Sequence, residues 1–285
     1  MKVRRATSAT PLARQYAAEL AGRAQRPPPD IRWSAFRRRE YPEPALELAS
    51  QAALALAEGE YGAIDLFADL LSGLALVAAP FDFLQAAARV PADEARHAEY
   101  ALHMAELCAG RPVEARFDRD GALARRKQAP SEIADVDRAM VLTCAIGETL
   151  AAALIGACHR RATDPVARSY HGALLRDEIH HARLGWYYLS WRSERWTRRE
   201  RQVLSDAAAR MLVGLEVAFC RGRDAPPGSR QAARALGVLD TPSQRRAIRD
   251  VVQNEIVPGL DALGLGASHA WRARRRAPPL HRSAS

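Results

Sequence analysis

Residues 93–97 read Asp-Glu-Ala-Arg-His, and residues 177–181 read Asp-Glu-Ile-His-His. Each stretch sets a Glu and a His three positions apart, which puts both on one face of a helix. A further glutamate stands upstream of each: Glu60 precedes Glu94 by 34 residues, and Glu148 precedes Glu178 by 30. That separation is one helix, a turn and a helix running back. The upstream carboxylate therefore returns to the level of the Glu-x-x-His pair. The chain reads as a helical hairpin written twice. Two such hairpins face to face would deliver four carboxylates and two imidazoles to one interior.

The surrounding sequence supports helices throughout. Of the 285 residues, 48% are apolar, enough for a sizeable core, and good helix formers such as Ala, Leu, Arg and Glu dominate. The punctuation gives the element order. A first helix starts near Pro44 and runs to about Ala78, before Pro80. A second runs from about Asp82 to Cys108, bends at Pro91, and ends at Gly110, a glycine C-cap. Residues 111–130 are a long charged crossover. A third helix runs from Ser131 to about Thr163. Asp164-Pro165 then caps and opens a fourth, which reaches about Ser193. Thr197 to Glu200 reads as a capping box that opens a fifth helix ending near Arg221. Thr241-Pro242 opens a last one to about Leu263. The expected organisation is an N-terminal arm over 1–43 with a short helix at 11–24, a four-helix core over 44–193, two C-terminal helices packed on it over 194–267, and a disordered basic tail over 268–285.

One Glu-x-x-His in a helix-rich chain carries little information. Two copies, each with an upstream Glu at matching distance, carry much more. The plainer reading makes Glu94 and Glu178 surface residues paired with Arg96 and Arg183. It leaves Glu148 unexplained, because Glu148 sits in the most apolar stretch of the chain, AMVLTCAIGETLAAALIGA, where an unpaired charge is costly. The expected metal ligands are therefore Glu60, Glu94, His97, Glu148, Glu178 and His181. Glu58 competes with Glu60 but points to another face. Carboxylate with imidazole and no thiolate suits Fe, Mn or Zn. A metal-bound His donates its other ring N–H to a carboxylate, so Asp177 is expected to hold His97, and Asp93 to hold His181. His171 shares a face with Glu178 two turns earlier and is a candidate extra ligand or pocket base. Gly147, Ala151 and Ala152 either leave room for substrate or permit close helix packing.

The net charge is +9, concentrated at Arg37 to Arg39, Arg192 to Arg201 and Arg272 to Arg276. It reads either as a solvated surface or as a face for an acidic partner such as tRNA. Four cysteines, with no Cys-x-x-Cys pair, argue against an iron–sulfur cluster or zinc ribbon. They suit a reducing, cytoplasmic setting. The N-terminus lacks the apolar segment of a signal peptide. The longest uncharged run, 70–81, is too short to span a bilayer, so no membrane association is expected.

EYGAIDLFADL with PADEARHAEYALHMAELCAG, and GETLAAALIGA with RDEIHHARLGWYYLSW, resemble the ferritin-like di-iron carboxylate superfamily over residues 44–193. That family uses a Glu from each of two helices and Glu-x-x-His from the other two. RRAIRDVVQNEIVPGLDALG is similar to the usual last helix of its bacterial ferritin-like members. DEARH matches the DExRH motif of di-iron monooxygenases, in which the Asp hydrogen-bonds a ligand His; DEIHH departs from it, with His180 in place of Arg. The arylamine N-oxygenases carry an additional His on the last ligand helix, at an offset that His171 does not match. The resemblance implies an all-α fold, a ferritin-like four-helix bundle with one long crossover.

It also implies two Fe ions, or a Mn/Fe pair, and dioxygen as co-substrate. The expected activity is a non-haem di-iron oxidase or oxygenase that hydroxylates, N-oxygenates or desaturates a small-molecule substrate, an activity suited to specialised metabolism. No flavin or iron–sulfur motif accompanies it, so electrons would come from an external donor such as a ferredoxin or reductase. The alternatives are an iron-handling ferroxidase or rubrerythrin-like protein, and a tRNA-modifying di-iron hydroxylase. A homodimer is a candidate assembly; a monomer or dimer would argue against the iron-handling reading, which a large shell would favour.

Overall fold

The computed structural model describes residues 31–219 and 224–273. The short helix expected over 11–24, the end of the fifth helix near Arg221, and the tail beyond Ala273 lie outside the described residues. The described chain is all-helical, with no strand among the described residues.

Helix α1 spans Glu43–Leu76, with Pro44 in its first turn, where a missing N–H is harmless. It ends as Ala78 turns into the left-handed region (φ 51°). The Ala79 N–H then reaches back to the Leu74 carbonyl, and Pro80 follows. The expected second helix is two: α2, Phe81–Ala87, and α3, Val90–Ala109. Pro91 does not bend a continuous helix. It occupies the first turn of α3, so the chain breaks over Ala88 and Arg89 instead. Gly110 (φ 69°) caps α3 as expected, its N–H bonded to the Glu106 carbonyl. Arg38 donates to the Cys108 carbonyl, tying the segment before α1 to the same helix end.

The crossover is not all loop, because it contains α4, Arg119–Arg126, capped by Asp118. Helix α5 spans Ile133–Arg161, and its Met140–Glu148 stretch is π-helical. Asp164 then caps α6, Pro165–Ser193, by accepting from the Ala167 N–H. The capping box forms as expected. The Thr197 N–H reaches the Glu200 carboxylate and the Glu200 N–H reaches the Thr197 hydroxyl, opening α7, Arg198–Phe219. Short helix α8, Arg230–Ala235, follows. In α9, Thr241–Val251, the capping residue is Asp240, and Thr241-Pro242 form the first turn. A π-helical turn leads to α10, Val257–Ala262, and then α11, Ala267–Ala273. The first residues assigned to a disordered tail are therefore helical, with Trp271 buried.

Helix α1 packs along α3, α5 along α6, and α3 meets α6. Two apolar cores result. One joins Phe67, Leu70, Val90, Cys144, Leu150 and Tyr188 with residues of α7, α9, α10 and α11, so these helices share a core with the preceding ones. The other joins Leu46, Ala53, Met104, Ile155, Tyr170 and Leu174 with Ile31 and Phe36 of the segment before α1. On α1, α3 and α6 the expected ligands fall between the stretches that feed the two cores. On α5, Glu148 stands beside Leu150 of the first core, before Ile155 of the second.

Two charge expectations change. Helix α5 is long and apolar enough to cross a membrane, with a mean hydropathy of 1.8 over its most apolar window. Counting only uncharged runs missed it, because Glu148 interrupts the run. Its packing along α6 and its contribution of Glu148 to a shared polar cluster are what a core helix shows. Arg192, counted with the basic surface run, is buried and forks onto Asp137 (Nε–Oδ1 2.9 Å, Nη2–Oδ2 2.8 Å). Asp137 also accepts from Tyr188 (2.9 Å) and Trp196 (2.7 Å), joining α5, α6 and the turn before α7.

Candidate metal centre

The helical register of α3 and α6 turns Glu94, His97, Glu178 and His181 inward, and each is only 1% exposed. Helix α1 supplies Glu60 and α5 supplies Glu148. Two groups of potential ligand atoms form, each within 4.8 Å of one another. One is Glu60, Glu94, His97 and Glu178; the other is Glu94, Glu148, Glu178 and His181. Glu94 and Glu178 belong to both. All six expected ligands are thus brought together in an arrangement that could hold metal.

The histidines are held from behind. His97 Nε2 lies 3.3 Å from Asp177 Oδ2, and His181 Nε2 lies 3.3 Å from Asp93 Oδ2. Both cross-pairings agree with the sequence reading. The other ring nitrogens face the carboxylates: His97 Nδ1 is 2.9 Å from Glu178 Oε1, and His181 Nδ1 is 3.0 Å from Glu94 Oε1. Despite these distances, both Nδ1 atoms, both Glu94 oxygens and Glu178 Oε1 are buried without a well-directed hydrogen bond. Lone pairs that converge without bonding one another fit a shared cation better than a hydrogen-bonded network.

The electrostatics agree. Burial, then the nearby Glu178 and Glu94 charges, push the Glu60 carboxyl well above the usual range. Burial and Glu178 do the same to Glu148. Burial opposes ionisation of Glu94 and Glu178 too, but both histidines lie against each of them and hold them below the usual range. Burial disfavours cationic His97, yet Asp177, Glu178 and Glu94 outweigh it and raise its pKa. His181 is raised against burial by Asp93, Glu148, Glu178 and Glu94. Without metal, Glu60, Glu148, His97 and His181 are therefore the groups of the cluster that hold protons more readily than usual. Divalent cations would compete with protons at those groups.

Glu58 is not in the cluster. Its Oε1 accepts the Arg116 N–H of the crossover (2.8 Å), which separates it from Glu60. Nor does Arg96 pair with Glu94. Its Nη2 lies 2.6 Å from both Asp93 Oδ1 and Asp177 Oδ2, so one guanidinium holds the two aspartates that hold the two histidines. The sequence reading missed this role; the one signal was an Arg in DEARH with no counterpart in DEIHH.

The His171 expectation is corrected. His171 joins neither group of potential ligands. It packs against Gly237, where an added Cβ would lie 2.4 Å from its Nε2, and it bonds the Leu236 backbone. Spacing placed it on the right face but about two turns, roughly 10 Å, along the axis from Glu178. Burial lowers its pKa to about 4, so it is a neutral packed histidine. His180 also belongs to neither group.

Glu60 and Glu148 are slightly less enclosed than the other four, the Glu148 side chain being 13% exposed, so α1 and α5 form the least covered side of the cluster. A Cβ on Gly147 would meet only the Leu142 carbonyl of its own helix, at 3.2 Å, so close helix packing does not account for that glycine. The helices meet closely at Gly185 instead, where a Cβ would fall 2.5 Å from Cys144 Cβ and 2.6 Å from the Ala145 nitrogen.

No protein-family model matches this chain, and no curated protein matches its sequence.

Proposed function

We propose that the chain is a non-haem di-iron oxidase or oxygenase built on a ferritin-like four-helix bundle, acting on a small organic substrate. One observation carries the reading: two overlapping groups of ligand atoms share Glu94 and Glu178. Glu60 and His97 would complete one ion's set, and Glu148 and His181 the other's. The pairings of α1 with α3, of α5 with α6, and of α3 with α6 support the bundle. Carboxylate with imidazole favours iron or manganese over soft metals.

A ferrous pair at this site would supply the electrons and the oxygen chemistry that side chains cannot. The chain's own part is positional. Asp177 and Asp93 fix each imidazole with Nδ1 inward, and Arg96 fixes both aspartates. The two apolar cores exclude water from either end of the cluster. The α1–α5 side is where dioxygen and substrate would arrive. An external reductant would complete each cycle. Buried, unpaired Cys108 and Cys144 suit a reducing cytoplasm.

The test is anaerobic loading of the full chain with ferrous ion, followed by dioxygen. Rapid oxygen uptake that depends on bound iron supports the reading. Iron that binds but stays inert to oxygen would leave a metal-binding scaffold and end the oxidase proposal.

A further inference from the structure

Far from the cluster, the end of α5 and the first turns of α9 border a cavity of about 970 Å³ lined by Arg161, Arg230 and Arg234. A second cavity of about 440 Å³, lined by Arg245, Arg246 and Arg249, shares Asp224 and Pro242 with it. The two adjoin at these residues, three arginines lining each, and are together called the trough. Three carboxylates also border it, and two are already engaged by backbone. Asp224 accepts the Thr241 N–H (2.9 Å), and Asp240 accepts the Ser243 N–H (2.8 Å) while pairing with Arg161 (3.3 Å). The side chains of Arg234, Arg245 and Arg246 make no hydrogen bond or ion pair among the described residues. They are exposed, so solvation alone would satisfy them on a flat surface. Here Arg234 borders the first cavity, and Arg245 and Arg246 the adjoining second.

We propose that this trough binds a phosphate-bearing small molecule of roughly nucleotide size. Unpaired guanidinium forks bordering two adjoining hollows suit the oxygens of a phosphate or diphosphate group. The volume lies in the range of small-ligand pockets and exceeds what a single inorganic ion fills. Arg161 stands 13 residues beyond Glu148 on α5, about 20 Å along the helix axis, so the phosphate end is not at the candidate metal centre. The trough touches the core through its α8 wall. The Ala235 carbonyl accepts the Thr163 and Asp164 N–H groups, at 3.0 and 3.1 Å, beside the start of α6. A ligand gripping Arg234 therefore braces the α5–α6 turn.

Calorimetric titration of the full chain with inorganic pyrophosphate, at fixed ionic strength, tests this. One saturable site per chain is expected. Arg234→Ala and Arg245→Ala should each weaken binding about tenfold, the loss of roughly one charge-assisted contact. Arg37→Ala and Arg199→Ala, on other basic stretches, should leave it unchanged. Melting curves of the two trough variants should match the parent, because both side chains are exposed. Titration without saturation, or equal losses in all four variants, would overturn the proposal. So would a single-stranded RNA that binds far more tightly than pyrophosphate with a salt slope of many charges, since the trough would then be a nucleic-acid face.

Discussion

Asp177 Oδ2 lies 3.3 Å from Nε2 of His97, a residue on the opposite half of the sequence repeat. Asp93 and His181 repeat the relation in reverse. Each half of the repeat therefore orients the other half's imidazole, and neither half is a complete site alone. Asp177→Asn keeps the shape but removes the charge that fixes the His97 ring. Metal affinity should fall about 10- to 100-fold, read by competition with a coloured chelator. Glu58→Gln, two residues from Glu60 on another face and bonded to the crossover, should leave affinity unchanged.

Stability should depend on pH in opposite senses with and without metal. The pKa values of Glu60, Glu148, His97 and His181 are raised above the ordinary 4.5 and 6.5. Raised groups contribute stability that is full below the unfolded pKa and lost as pH rises through the folded one. The metal-free protein should therefore weaken as pH climbs above about 4.5 for the two glutamates, and further above the histidine range. Metal displaces those same protons, so its affinity should grow with pH. Melting temperatures with and without metal, measured across pH, should diverge steadily toward alkaline pH. Parallel curves would contradict the proton assignment.

Gly185→Ala should destabilise the fold by about 1–3 kcal/mol. The added methyl would meet Cys144 and the Ala145 backbone at the π-helical stretch of α5, and backbone cannot rotate away. Gly62→Ala is the control, since nothing lies within 4 Å of a Cβ there. Urea unfolding of both variants checks the pair.

Asp137→Ala would leave the buried Arg192 guanidinium without its carboxylate, along with Tyr188 and Trp196. Removing one partner of a buried ion pair costs about 3–5 kcal/mol. A thermal melt should show a large loss. A change under 1 kcal/mol would mean water replaces the carboxylate with little penalty.

The parts of this arrangement that depend on short spacing were legible in the sequence. Glu94 with His97, and Glu178 with His181, follow from a three-residue step on a helix; the Asp164 cap and the Thr197–Glu200 box are equally local. The choice of Glu60 over Glu58 rests on the helix face each occupies. Its physical basis, the Arg116 N–H that holds Glu58, lies 58 residues away in the chain. The break before α3 was misread because Pro91 fits a bent helix and a first turn equally well. His171 misled because periodicity fixes a face but not a level on the axis. The π-helical turn before Glu148 left no mark in a run of apolar residues, since apolar sequence tolerates either phase. Arg96 binds two aspartates 84 residues apart, a relation that only the packing of α3 on α6 creates.

Metal stoichiometry in single-ligand variants tests the shared centre most directly. The parent chain should bind two ferrous ions. Glu60→Ala and Glu148→Ala should each retain one tightly held ion, because each removes a ligand from only one group. Glu178→Ala should lose tight binding of both. If Glu178→Ala still holds one ion as firmly as Glu60→Ala does, Glu178 is not shared, and the two-metal account fails.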